Sequence, residues 1–388
     1  MTSPVKEDNV RIAYVCADPG IPVFGSKGAS IHVQEVLRVL LARGARVELF
    51  CMRTGGPPPA DLAGIPVHEV APARTGDTAT RERMTMRAAA ALENLMEAAG
   101  PYDLVYERYA LWGGFALERA SAAGVPGVLE VNAPLIEEQA EHRGLVHRRG
   151  AEAILSRALT VASAVVCVSG PVAEWVLAHG APPQRVHVIP NGVDVRRFRP
   201  ADREPGGPFT VGFTGSLKRW HGVDVLVGAF ARMRGDDARL LIVGDGPEAA
   251  SLRDLAHRLG VAERVEFTGA LPPDRVPAQL RRMHVAAAPY RAEGGHYFSP
   301  LKLYEYLAAG LPVVAGDVGQ IGQVVVPGSN GLLVPGGDAP ALAAALESLR
   351  DDPAARARMR AAARRTALGH TWEAVVERTL AVAGPIAV

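Results

Sequence analysis

Two glycine-containing turns carry the residues best suited to chemistry. In PYRAEGGHYFSPLKLYEYLAAGLPVVA, Pro289 to Ala315, an apolar run leads through a glycine loop into a predicted helix opening at Ser299-Pro300. Lys302 and Glu305 fall in its first turns, where free backbone N–H groups and the positive end of the helix dipole favour an anion. A diphosphate suits such a seat. In FTGSLKRWHG, Phe213 to Gly222, a second turn puts Lys218 and Arg219 just past another predicted strand, so the two turns could hold opposite sides of one nucleotide.

The cations point the same way. The chain has 4 lysines against 38 arginines, and three of them, Lys27, Lys218 and Lys302, lie in glycine-containing turns. A compact charge on a flexible stem does there what a planar guanidinium does not.

Other strand ends carry polar residues. FGSKGASIH, Phe24 to His32, has two open readings: a loop whose Gly25 and Gly28 let a ligand approach the backbone, or a tight connection with Ser30 as helix N-cap. In Glu130-Val131-Asn132-Ala133-Pro134, Asn132 either meets a sugar hydroxyl or leaving phosphate, or only turns the chain before Pro134; Arg108, after LVYE, stands at the matching place on its own strand. Gly244-Asp245-Gly246-Pro247 lacks the rest of the dinucleotide-binding pattern, so a nicotinamide cofactor is not supported and Asp245 is read as a helix cap. Backbone amides at Gly269-Ala270 could read the edge of a base. His32, His221 and His296 border glycine loops and are better placed for substrate than a core histidine such as His187. No nucleophile-elbow, zinc-protease or P-loop pattern occurs, and the eleven histidines show no metal-ligand spacing.

Positioning these turns is the task of alternating strands and helices. RIAYVCA, ARVELFC, LVYERY, VPGVLEV, AVVCVS and VHVIPN are separated by helical patterns near Ile31 to Arg43, Thr80 to Ala99 and Arg148 to Ala162. After a Pro-, Gly- and charge-rich linker, with a boundary near residue 200, the alternation restarts with TVGFTG, ARLLIVGDG, RVEFTG, VAAAPY, LPVVAG and GLLVP. Continuous apolar strands between helices predict parallel sheets covered on both faces, hence two doubly wound α/β halves with a cleft between them. A length of 388 residues with 48% hydrophobic content accommodates both.

Charge and cysteine content exclude other classes. The net charge of +1 without long like-charged runs argues against a nucleic-acid binder. Cys16, Cys51 and Cys167 are few and far apart and read as reduced core residues. The polar start MTSPVKEDNV and the lack of a long apolar run predict a cytoplasmic protein without a transmembrane segment.

Taken in order, VIPNGVDVRRF, FTGSLKRWHGVDVLVGAF, LLIVGDGPEAASL, VEFTGAL, SPLKLYEYLAAGLPVVA and GLLVPGGD resemble the retaining nucleotide-sugar glycosyltransferases of family 4, over essentially the whole chain. The resemblance implies the GT-B fold, two Rossmann-like doubly wound domains facing a central cleft. Residues 1–200 would form an acceptor-binding domain, on which a last helix, about 369–388 and containing HTWEAVVERTL, packs back; residues 201–368 would bind the nucleotide sugar. The implied activity is metal- and cofactor-independent transfer of a glucose- or N-acetylglucosamine-type sugar from a UDP-sugar to an acceptor hydroxyl or amine, in bacterial secondary-metabolite or cell-envelope synthesis. The departing phosphate would take the acceptor proton. A UDP-sugar 2-epimerase and a silent nucleotide-binding subunit are the rivals, and monomer and homodimer both stay open.

In this reading Lys218 and Arg219 contact the diphosphate, Asn132 assists catalysis, Glu305 holds the ribose and amides near Leu301 cradle phosphate. Further donor contacts are expected at Gly25, Gly28, Gly215, Ser216, Gly244, Gly269, Ala270, Glu293, Ser299, Pro300 and Lys302, and acceptor contacts at Lys27, His32, Arg108, Glu130 and His296. Three departures from the family pattern involve four positions. Tyr297 stands where a first glutamate is usual, leaving Glu293 as its substitute; Ser216 and His221 replace two usual cations; and Asn132 replaces a usual histidine.

Overall fold

RIAYVC at Arg11–Cys16, buried at all but its first residue, forms β1, because an unbroken apolar run must be covered on both faces. The computed structural model describes residues 10–73 and 75–384. Strand β1 is central to a seven-stranded sheet with β2 (Arg46–Cys51), β3 (Val67–Glu69), β4 (Leu104–Arg108), β5 (Gly127–Val131), β6 (Ala164–Cys167) and β7 (Val186–Val188). Its order is β3-β2-β1-β4-β5-β6-β7, with every pair parallel. The helices are α1 (Gly28–Ala42), α2 (Thr78–Ala99), α3 (Phe115–Ala122), α4 (Leu135–His142), α5 (Arg148–Val161) and α6 (Gly170–Ala178).

The second sheet has the order β10-β9-β8-β11-β12-β13. It comprises β8 (Phe209–Thr214), β9 (Ala238–Val243), β10 (Val265–Phe267), β11 (Val285–Ala288), β12 (Val313–Gly316) and β13 (Gly331–Val334), again all parallel. Around it lie α7 (Val223–Arg232), α8 (Ala249–Arg258), α9 (Val276–Leu280), α10 (Leu301–Ala308), α11 (Ile321–Val324), α12 (Ala339–Asp351) and α13 (Pro353–Leu368). Phe213 and Phe230 anchor one core cluster, and Tyr290, Tyr304 and Tyr306 the other.

Each sheet supports one unit. One runs to Pro190 and resumes at Trp372; the other is Asn191–Thr371. The division falls ahead of the linker boundary near residue 200, because Val193 pairs with Thr371 and Phe198 is buried in the second unit's core. The last helix, α14 (Trp372–Ala383), packs on α1, β5 and β6 of the first unit.

Several local expectations need correction. Helix α1 begins at Gly28 with Lys27 as its N-cap residue, so Ser30 lies inside the helix, buried, and caps nothing. Strand β3 was not anticipated, and His187 is half-buried on β7, not in the core. Cys16, Cys51 and Cys167 are buried free thiols, and burial pushes each up to about 12, away from reactivity.

The sheet order reverses between β1 and β4, and between β8 and β11. Crevices open outside the carboxyl ends of strands at such points. The turn after β8 and the loop after β11 therefore leave the second sheet at its switch point.

Candidate active site

The second unit's site is built on three strand-end turns that touch backbone to backbone. Gly215 N–H donates to the Val243 carbonyl at 3.0 Å, Leu217 N–H to Asp245 O at 2.9 Å, Glu248 N–H to Leu217 O at 3.0 Å, and Gly244 N–H to Gly269 O at 3.0 Å. A Cβ on Gly244 would lie 2.0 Å from the Gly215 carbonyl, and φ there is +140°, so the approach requires glycine. Asp245 is part of this lock and does not cap α8, whose N-cap residue is Glu248.

The β8 turn presents its cations outward. Ser216, Lys218 and Arg219 are exposed, and the Lys218 ammonium stands 4.4 Å from the centre of the Trp220 ring. His221 donates Nδ1–H to the Ser216 carbonyl at 2.5 Å; burial first, then the charges of Lys302 and Lys218, push its imidazole down to about 3. A carbonyl accepts at Nδ1, so the neutral ring bears its proton there and does not replace the missing cation.

Helix α10 is bolted to the same strand end. Tyr306 Oη accepts the Thr214 N–H at 2.7 Å, and the residue is fully buried. Upstream, Asn191 N–H donates to Ser299 Oγ at 3.1 Å and Asn191 Nδ2 to Ser299 O at 2.6 Å. The Ser299 hydroxyl, expected at a donor, is thus engaged in fixing the approach to Pro300 and Leu301. Tyr306→Phe should leave the Thr214 N–H without its acceptor and cost about 1–3 kcal/mol, read by chemical denaturation.

Lys302 departs from its expected place at the mouth of the helix. Its side chain is buried, the ammonium 4.2 Å from the Phe213 ring centre and 5.6 Å from that of Tyr290, with no hydrogen-bond partner among the described residues. Burial lowers it to about 7 against the opposing pull of Glu305, which is half-buried on the same helix. Glu293 is exposed in the loop after β11, which Arg291 ties to α7 through Asp224. His296 belongs to this unit, its Nε2 3.1 Å from the Ala292 carbonyl. Gly269 turns with φ +71° and Ala270 is exposed beside it.

In the first unit, the expected acceptor residues are spent largely on one another. Glu130, only 2% exposed, is approached by His32 Nε2 at 2.9 Å, Tyr106 Oη at 2.5 Å and Arg108 Nη1 at 2.8 Å, and also accepts from the Asn132 amide. Burial would raise its carboxyl, but His32, Arg108 and Tyr106 outweigh that and hold it well below the ordinary carboxylate range. Glu130 and Arg108 thus form a buried ion pair that also holds the amide of Asn132, which is half-buried. His32 is buried with its ring 4.9 Å from Trp372, edge to face. Lys27 and Gly28 are exposed at the start of α1, and Gly25 lies in a turn held by Gln34, whose Nε2 donates to Val23 O and Gly25 O.

Asn191, Tyr306, Gln34 and Tyr106 were not singled out from the sequence. Asn191, Tyr306 and Tyr106 lie inside segments already quoted, IPNGVD, LKLYEY and LVYERY, where nothing in the residue pattern sets them apart from their polar neighbours. Among the described residues no group of three or more His, Cys, Asp or Glu is arranged to hold a metal ion, and no helix is long and apolar enough to cross a membrane.

Comparison with known proteins covers both sets of turns. Residues 26–197 match the family Glycosyltransferase Family 4, and residues 208–352 match Glycosyl transferases group 1. The D-inositol 3-phosphate glycosyltransferase 1 of Catenulispora acidiphila is 30% identical over 382 residues, covering 92% of this chain and 90% of the relative. Sucrose-phosphate synthase from Thermosynechococcus elongatus superposes with TM-score 0.72 at 22% identity, over 95% of this chain and 97% of that one. Anabaena HepE, in complex with UDP and glucose, superposes with TM-score 0.70 at 20% identity, over 96% and 98%. The turns after β8 and β11 and the strand ends around Glu130 all lie within the matched residues, and the chain belongs to the family 4 glycosyltransferases, with their GT-B fold of two Rossmann-like units.

Proposed function

We propose that this glycosyltransferase moves a hexosyl group, glucose or N-acetylglucosamine in type, from a UDP-sugar to an acceptor hydroxyl with retention of configuration. The observation that carries the reading is the coupling of two charge-bearing pieces. The turn with Lys218 and Arg219 and the helix with Glu305 spring from one place, joined by the Tyr306–Thr214 hydrogen bond. Cations suit a diphosphate, and a carboxylate suits the paired hydroxyls of a ribose. HepE was solved with UDP, which supports the choice of nucleotide.

In the transfer, the acceptor oxygen bonds to the anomeric carbon as the bond from that carbon to the β-phosphate oxygen breaks. The acceptor proton passes to the departing phosphate. Lys218 and Arg219 stabilise the charge that grows there. The second unit holds the donor, and the first holds the acceptor near Lys27 and Asn132. The Catenulispora acidiphila relative is named for D-inositol 3-phosphate, so a cyclitol phosphate is the first acceptor to try.

UDP release from UDP-glucose and UDP-N-acetylglucosamine, with and without candidate acceptors, tests the reading, and NMR of the product gives the anomeric configuration. Acceptor-dependent release of UDP with a retained anomer is expected. A UDP-sugar converted to its 2-epimer without acceptor, or inverted product, would refute it. Glu305→Ala should raise the donor KM at least tenfold with a smaller change in kcat, whereas a normal donor KM would remove Glu305 from the ribose.

A further inference from the structure

Lys302 is a buried amine that finds, among the described residues, no hydrogen bond to offset its desolvation. Its Nζ lies directly under the Gly215 turn, so close that a Cβ on Gly215 would come within 2.9 Å of it. Its nearest companions are the faces of Phe213 and Tyr290, which can support a cation but do not neutralise one. The titratable groups around it are few. Glu305 and Tyr306 lie on its own helix, His221 and Lys218 come from the β8 turn, and Tyr290 from the strand end after β11. His221 is neutral, and Ser216 brings no charge to the turn. A bare ammonium in such a place is costly, and an anion on the turn would remove the cost.

We propose that Lys302 supplies the buried cation for a nucleoside diphosphate lying on the Gly215 turn, and that its amine takes on a proton from solvent as the diphosphate arrives. The inference rests on the donor reading above and deepens it. It makes donor binding a proton-linked event, with the second cationic contact coming from beneath the turn in place of the positions held by Ser216 and His221. The flexible four-carbon stem lets the amine shift toward phosphate without moving α10. Because burial lowers Lys302 to about 7 in the free protein, the amine is mostly neutral at pH 8 and uptake there is close to one proton.

UDP titrated calorimetrically into the full chain at pH 8, in Hepes and in Tris, gives the proton count from the difference in heats. The wild type should take up close to one proton per UDP, and its Kd should weaken about tenfold between pH 7 and pH 8.5. Lys302→Met should lose the uptake and the pH dependence and bind UDP about ten- to a hundredfold more weakly at pH 7. His221→Asn should retain the uptake. Absence of uptake in the wild type overturns the proposal whether or not Lys302→Met folds, and so does uptake that survives in a folded Lys302→Met. Failure of the wild type to bind UDP, GDP, ADP or dTDP at all would instead overturn the donor reading, and this one with it.

Discussion

Lys218→Ala is expected to slow sugar transfer by about 10²- to 10³-fold, with a smaller loss of UDP affinity. The reasoning is one of timing. As the sugar leaves, negative charge accumulates on the β-phosphate, and a cation already fixed beside it does more for the transition state than for the ground state. Lys218 is fixed because the turn that carries it is hydrogen-bonded on both sides to the Asp245 turn and its ammonium leans on Trp220. Steady-state kinetics with saturating donor measures the effect, and unchanged turnover would remove Lys218 from the reaction.

A second large effect concerns stability. Glu130→Ala should destabilise the first unit by about 3–5 kcal/mol, since it leaves Arg108 charged, buried and unpaired and strands Tyr106 Oη as well. Denaturant unfolding followed through that unit's transition checks this, and a loss under 1 kcal/mol would mean that water reaches the guanidinium. Glu130→Gln, which keeps an acceptor of the same shape, should cost less. The acid limb has a defined sign: with its carboxyl held below the ordinary 4.5, Glu130 contributes fully above that pH, and the contribution is lost as pH falls below it.

Much of the architecture was legible because parallel, doubly covered strands have to be apolar throughout. RIAYVC, FTVGFT and ARLLIV come close to this, each buried at all but one position, and the glycine-bearing segments that follow mark the turns. Strand β3 escaped notice because VHE is three residues long and half-exposed, so it shows neither a continuous run nor an alternation. At the start of α1, Ser30 has the chemistry of a cap, yet the backbone turns helical two residues earlier.

The site was legible in residue type but less so in side-chain partner. Arg108 and Glu130 look like ligand-facing strand-end residues, yet they sit directly across from each other on β4 and β5. That register belongs to the pairing of strands far apart in sequence. Tyr14 and Tyr106 likewise stack at 5.0 Å because β1 and β4 align them. Lys302 was read at a helix mouth, whereas helical geometry turns its stem inward under Gly215.

The first unit's dependence on α14 bears on the order in which the chain can mature. All of Asn191–Thr371 is synthesised between β7 and α14, so the nascent first sheet waits for its last helix while another unit is being made. Until Trp372 emerges from the ribosome, the ring of His32 has no edge-to-face neighbour there, and the faces of α1, β5 and β6 that α14 covers stay wet. Any folding of this half during translation therefore leaves the face that α14 covers exposed until the last helix is made.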